Sequence, residues 1–244
     1  YYEVVNKLYD MYAAAAQHVI DNNLFFDLGI PFNLIDVIKK SWENDVHWHL
    51  YGRFDLAGGI DGAPIKLIEF NADTPTSLFE TAILQWALLK HNGMDEERQF
   101  NNIYEAISDN FRRLVTLFDD PAEFEKHYDG WKILFSSISG NLEEEQTVRL
   151  LQQMAIDAGF ETGFEPLGGV KFDDEGIYDS AEEPYEYWFK LYPWEWMARE
   201  PFFEVLDLQP VGEPQARQRV RRRRFDPIDL TRPQRRDTRR RIGN

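Results

Sequence analysis

The chain has no cysteine, which excludes a disulfide framework and any thiolate-held metal. No apolar run approaches the length that crosses a bilayer, and no signal peptide is expected ahead of Tyr1, so a cytoplasmic protein without a membrane partner is the default. An initiating Met is also missing, and the chain is expected to be part of a longer protein. Basic residues are scarce: 27 Lys and Arg face 43 Asp and Glu, a net charge of −16. Even these are unevenly placed. Residues 217–244 hold 12 Arg against 3 Asp, a local +9, which leaves −25 on residues 1–216. A body this acidic repels nucleic acid and favours cationic partners such as polyamines. What is present is ample apolar material. At 43% hydrophobic and 15% aromatic, the 244 residues can build a packed core for one large domain or two small ones.

The most informative stretch runs from Tyr51 to Glu80, YGRFDLAGGIDGAPIKLIEFNADTPTSLFE. It reads as two short strands, a Gly-rich connection, and a polar loop that opens a helix. If Arg53 faces Asn71, Phe54 faces Phe70, Asp55 faces Glu69 and Leu56 faces Ile68, one face of the hairpin carries Arg, Asp, Glu and Asn. The other face then carries Phe, Leu, Ile and Phe, because side chains alternate along a strand. A two-residue Asp61-Gly62 turn favours a register one residue away, but that slip sets polar positions against apolar ones. The first register, with a longer Gly-containing loop, is therefore expected. Two carboxylates set opposite each other repel unless a cation lies between them. Oxygen ligands of this kind suit Mg²⁺ held jointly with substrate phosphates, and Arg53 can act as a fork for phosphate or carboxylate; simple pairing of Arg53 with Asp55 or Glu69 is the structural alternative. Ser77 and Glu80 have capping-box spacing ahead of an apolar run. The N–H groups of that helix start, with the hydroxyls of Thr74, Thr76 and Ser77, would make an anion-binding corner.

YGRFD, LIEFNADTPTS and the later FKLYPWEWM resemble the glutathionylspermidine synthase family, in particular stand-alone synthetases without an amidase domain. The resemblance covers about residues 1–206 and implies a mixed α+β or α/β fold: a pre-ATP-grasp domain plus part of an ATP-grasp synthetase, incomplete at the C-terminus. It implies an ATP- and Mg²⁺-dependent ligase that activates a glutathione-like carboxylate as an acyl phosphate and joins it to a polyamine-like amine. By the same resemblance Asp55, Glu69 and Asn71 match the magnesium ligands. Arg53 matches the catalytic arginine that steadies the phosphates, and Thr74, Thr76 and Ser77 match the segment lining the glutathione side. Lys190 and Glu195 fall in the segment leading towards the nucleotide-binding half, with Lys190 a candidate nucleotide contact; a Trp-rich helix start is equally a packing feature.

Around this stretch the pattern is supportive. Residues 2–22 read as an amphipathic helix through Val5, Leu8, Tyr12, Ala15, Val19 and Ile20, and a second helix follows Pro31 over Leu34–Trp42. His47 and His49 have a spacing that can bind metal in an extended segment, but no third ligand is near. Asp95–Phe118 reads as a helix whose stripe, from Phe100 through Ile107 and Phe111 to Phe118, belongs to a core. Lys132–Phe135 reads as a buried strand, then SSISGN and a helix over Leu142–Ala158 with Asn141 and Glu144 at N-cap spacing. This unit lacks the glycine pattern of a P-loop or dinucleotide fingerprint. Phe160–Tyr192 reads as strand-rich, and Pro193 opens a further helix.

After Leu206 the resemblance stops, and residues 207–244 are too polar and Arg-rich to fold alone. They are a basic tail able to hold nucleic acid or another polyanion, a tail that folds back on the acidic body, or translation in a shifted frame. The last reading best explains an Arg-dense run where the family continues with its ATP-binding lysines. A non-catalytic acidic module that captures polyamines or a basic partner is the alternative to the ligase.

Overall fold

A computed structural model describes residues 1–43, 50–95, 97, 102–114, 121–173 and 176–200. The His47/His49 pair, Phe100, Phe118 and the segment after Glu200 lie outside the described residues. α1 (Tyr2–Asn22) is followed by two single 3₁₀ turns and α2 (Ile35–Glu43). A hairpin of β1 (Arg53–Ala57) and β2 (Lys66–Asn71) comes next. A helix then starts at Leu78, passes through π-helical turns over Glu80–Leu84 and continues as α3 (Gln85–His91). α4 (Ile103–Arg113), α5 (Pro121–His127), β3 (Lys132–Ser137), α6 (Leu142–Asp157) and β4 (Glu161–Phe164) build the next unit. Three two-residue strands, β5 (Lys171–Phe172), β6 (Ile177–Tyr178) and β7 (Pro184–Tyr185), precede β8 (Tyr187–Leu191) and α7 (Trp194–Met197).

β4, β3 and β8 form a parallel sheet with β3 in the centre. A central parallel strand is covered on both faces and therefore reads as a continuous apolar run, as Ile133-Leu134-Phe135 does. Alternation sends these residues to opposite sides. Ile133 and Phe135 join Phe111 of α4 and Val148, Leu151, Met154 and Ala155 of α6, the last four at helical spacing. Leu134 joins Leu34, Ile177, Trp188 and Met197. Asn141 caps α6, its side chain accepting from the Glu144 N–H at 3.3 Å. β5, β6 and β7 make a separate small antiparallel sheet.

The hairpin is a two-stranded sheet of its own, and such a sheet is marginal without a partner surface. α1 supplies one. Phe54 and Phe70 stack at 4.1 Å, Tyr12 tilts onto Phe70 at 5.1 Å, and Tyr9 meets Phe70 edge-on at 6.3 Å.

The expected register holds at one end of the hairpin only. Arg53 faces Asn71, Phe54 faces Phe70 and Asp55 faces Glu69, but Leu56 faces Leu67 rather than Ile68. Ile68 is the extra residue of a β-bulge, and it is 68% exposed instead of lying on the apolar face. The bulge reconciles two demands that the pattern sets against each other. Towards the tip, the chain turns tightly through Asp61 (φ 53°) and Gly62 (φ 78°), with Ala63 N–H donating to the Ile60 carbonyl at 3.0 Å. The connection between β1 and β2, residues 58–65, is the longer Gly-containing loop expected, and the Asp61-Gly62 pair makes within it the two-residue turn that it favours. At Gly58 (φ 87°) an added Cβ would lie 2.1 Å from the Pro64 carbonyl oxygen, so the strands pinch together where only glycine fits.

Phe135 is fully buried and Ile68 mostly exposed, so Phe135→Ala should cost about 3–5 kcal/mol. Ile68→Ala should stay within about 0.5 kcal/mol. Urea unfolding measures both, and equal costs would contradict this placement of the core.

Candidate functional site

The polar face of the hairpin is held by one guanidinium. Arg53 Nε donates to Asp55 Oδ1 at 2.8 Å and Nη2 donates to Asp55 Oδ2 at 3.2 Å. Nη2 also donates to Glu69 Oε1 at 3.0 Å, and Nη1 donates to the Thr76 hydroxyl at 3.0 Å. One side chain thus joins β1, β2 and the loop that follows. The forked contact to Asp55 holds that carboxyl below its ordinary range and raises Arg53 further above its own. These groups are all partly exposed, at 31% for Arg53, 37% for Asp55 and 51% for Glu69. Exposed ion pairs add little net stability, so the cluster fixes the geometry of the face more than it stabilises the fold.

Asn71 is occupied differently. Its Oδ1 accepts from the N–H groups of Asp73 (3.2 Å) and Thr74 (3.0 Å), and its Nδ2 donates to the Thr74 carbonyl at 3.3 Å. Asn71 therefore shapes the loop in the manner of an Asx turn. Tyr51, buried, donates to the Pro75 carbonyl at 2.7 Å from below the same loop; burial pushes its phenol far up, against the opposing charge of Arg53.

The third restraint comes from across the molecule. Asp73 Oδ2 accepts from the Trp194 N–H at 3.0 Å, satisfying a donor at the start of α7 that the helix itself cannot. Asp73 Oδ1 lies 4.0 Å from Lys190 Nζ. Lys190 is buried, donates to the Tyr192 carbonyl at 2.5 Å and sits 4.1 Å over the Trp194 ring. The hairpin loop and the end of β8 are thereby fastened together.

The structure brings Arg53, Asp55, Glu69, Asn71 and Thr76 together. It places Thr74 in the same loop, its backbone bound to Asn71, and Ser77 at the loop's end. Lys190 is not on this face; its ammonium lies in the buried junction with Asp73 and Trp194, and Glu195 is exposed on α7. The capping box expected at Ser77 and Glu80 does not form. Ser77 has φ 67°, where an N-cap would be extended, and its carbonyl accepts from the Thr81 N–H and hydroxyl. Tyr51 and Asp73 were not singled out by sequence reasoning. Both lie inside the motif, and a carboxylate just ahead of Thr-Pro is the signal that points to Asp73.

Among the described residues no group of three or more His, Asp or Glu side chains is arranged to hold a metal ion, and no helix is long and apolar enough to cross a membrane. A metal at the hairpin would have two carboxylates, Asp55 and Glu69. The Asn71 Oδ1 beside them is engaged by the Asp73 and Thr74 N–H groups.

A family model described as glutathionylspermidine synthase preATP-grasp matches residues 1–213. A Haemophilus influenzae protein with the provisional name acid–amine ligase is 33% identical over 169 residues, 68% of this chain and 40% of that protein. The glutathionylspermidine synthase of Crithidia fasciculata is 26% identical over 134 residues, 55% of this chain and 17% of its own length. The chain thus spans less than half the length of these relatives.

Because its pKa is lowered in the folded state, Asp55 contributes stability above its unfolded value of about 3.9. That contribution is lost as pH falls through the folded value. Carboxyl NMR should show Asp55 titrating below the ordinary Asp range in the native chain and moving upward in Arg53→Gln; an unchanged value in the variant contradicts the pairing. Asp73→Ala leaves the Trp194 N–H and Lys190 short of a partner and should cost about 1–3 kcal/mol, measured by thermal or urea unfolding.

Proposed function

The chain belongs to the glutathionylspermidine synthase preATP-grasp family, and from that membership we propose that its hairpin face is the acid-activating part of an ATP- and Mg²⁺-dependent carboxylate–amine ligase. The observation that carries this reading is the pair of opposed, half-exposed carboxylates, Asp55 and Glu69, spanned by Arg53, which also reaches Thr76. Arg53 offsets the repulsion between the two carboxylates, and both remain accessible enough to take a cation.

Asp55 and Glu69 would hold the cation, with Asn71 as the neutral third ligand once released from its loop. Bound there, Mg²⁺ would offset the charge of the ATP phosphates and ATP would transfer its γ-phosphoryl group to the carboxylate with release of ADP, after which an amine would displace phosphate from the acyl phosphate to leave an amide. Arg53 is pre-positioned by its carboxylate partners and offers fixed positive charge where negative charge accumulates. The Thr76 and Ser77 hydroxyls and the Thr74 segment orient the acid beside it. The acidic body attracts the cationic amine from solution. Lys190, through Asp73, sets the position of the loop that carries these groups.

The test is ADP release by the full-length protein that carries this domain, supplied with ATP, Mg²⁺, glutathione and spermidine. Glu69→Gln should slow release by roughly 10²–10³-fold, the scale of losing one electrostatic stabiliser. Unchanged release would sink the metal assignment.

A further inference from the structure

The helix that follows the site loop is apolar beyond what its packing uses. It starts at Leu78 and ends, as α3, at His91. Of the twelve residues from Leu78 to Leu89 only Glu80 is charged, in a chain that is 29% charged. A helix that is apolar all round belongs inside a fold, and only the first turns of this one lie there. Leu78 is buried in the main core, and Phe79, Ala82 and Ile83 pack against that core. From Leu84 the helix leaves it. Leu84 through Leu88 are all exposed, with Leu84 at 49%, Trp86 at 46% and Leu88 at 62%.

Leu84 and Leu88 are one turn apart and share a face. Trp86 stands beside them, with the Lys90 ammonium 5.5 Å from its ring centre. Helical segments as short as α3, seven residues, are marginal in water without tertiary packing. A Trp among aliphatic side chains on a surface free of charge has the composition of an interface core.

Two observations say what covers this face. The helix issues from the loop that carries Thr76, which Arg53 holds, and Leu84 lies only about 9 Å of helix beyond Leu78. A body seated on Leu84 therefore borders the polar face of the hairpin. Less than half of either relative is matched by this chain, so most of each lies outside this domain. A unit in the same polypeptide meets the face at an effective concentration on the order of millimolar and loses no separate translational freedom in docking. A free second copy has neither advantage.

We propose that Leu84, Trp86 and Leu88 seat the part of the longer ligase polypeptide that lies outside this domain, and that docking there brings that part against the loop holding Thr76. The surface that meets them is apolar, with room for the Trp86 ring. The proposal rests on the reading of the chain as one part of a ligase and makes no use of Asp55 or Glu69 as metal ligands.

The test is thiol accessibility. The chain has no cysteine, so Leu88→Cys gives it a single thiol, whose reaction with a maleimide is followed in this 244-residue chain and, peptide by peptide in a mass spectrometer, in the full-length protein that carries the domain. Leu88→Cys should react as an exposed thiol in the 244-residue chain and at least roughly tenfold more slowly in the full-length protein, where it is reached only through local opening. Lys126→Cys, on exposed α5 surface, should react equally in both. Should Leu88→Cys fail to fold by circular dichroism, Leu84→Cys on the same face decides the matter. Equal rates at the two lengths overturn the proposal. So does protection of the 244-residue chain that grows with its own concentration, which would assign the face to a second copy. Because neither ATP nor Mg²⁺ enters this measurement, its outcome is separate from the effect of Glu69→Gln on ADP release, and either reading can fall while the other stands.

Discussion

Two like charges face each other across a hairpin, and the Arg53 guanidinium holds them there. Asp55 and Glu69 sit at opposed positions, where mutual repulsion would splay the side chains or the strands. Arg53 bridges both and extends to Thr76, so the geometry of the polar face and of the following loop is set by one fork of donors. The remaining parts serve that arrangement. α1 gives the hairpin's apolar face a partner, Asn71 and Tyr51 fold the loop from within and below, and Asp73 ties it to the start of α7.

The tie through Asp73 gives the parallel sheet its part in the site. β3 and β8 are buried on both sides, which makes the end of β8 a rigid reference. Lys190 and Trp194, at that end, hold Asp73 and with it the loop between Asn71 and Thr76. A lysine that looks, by its place in a motif, like a nucleotide contact is here buried against an aromatic ring and a carbonyl. The hairpin thus supplies the charges, and the sheet supplies the coordinate frame in which they are presented.

Most of this frame is legible in the sequence because each piece is announced by period and by end signals. Ile133-Leu134-Phe135 is continuously apolar because both faces are covered, and the α6 stripe and its Asn141 cap follow local rules. The near end of the hairpin is legible for the same reason, since only one register places Arg53, Asp55, Glu69 and Asn71 together. What is not legible is compromise between distant parts. The Asp61-Gly62 turn and the polar face demand registers one residue apart, and sequence reasoning has to choose where the chain inserts Ile68. The Ser77/Glu80 spacing is a sound local signal that the loop overrides, because Asn71, Tyr51 and Asp73 fix its course and deliver Ser77 at φ 67°. The contact of Asp73 with Trp194 joins residues far apart in the chain, and no local pattern announces it.

The bulge at Ile68 acts as a phase shifter between two halves of one hairpin. On one side of it the pairing is dictated by chemistry; on the other it is dictated by the requirements of a tight turn. The extra residue absorbs the one-residue mismatch, so the turn at the tip does not rotate Asp55 and Glu69 off their common face. The hairpin is therefore divided along its own length into a base set by its polar face and an end set by its turn, with Ile68 as the joint between them.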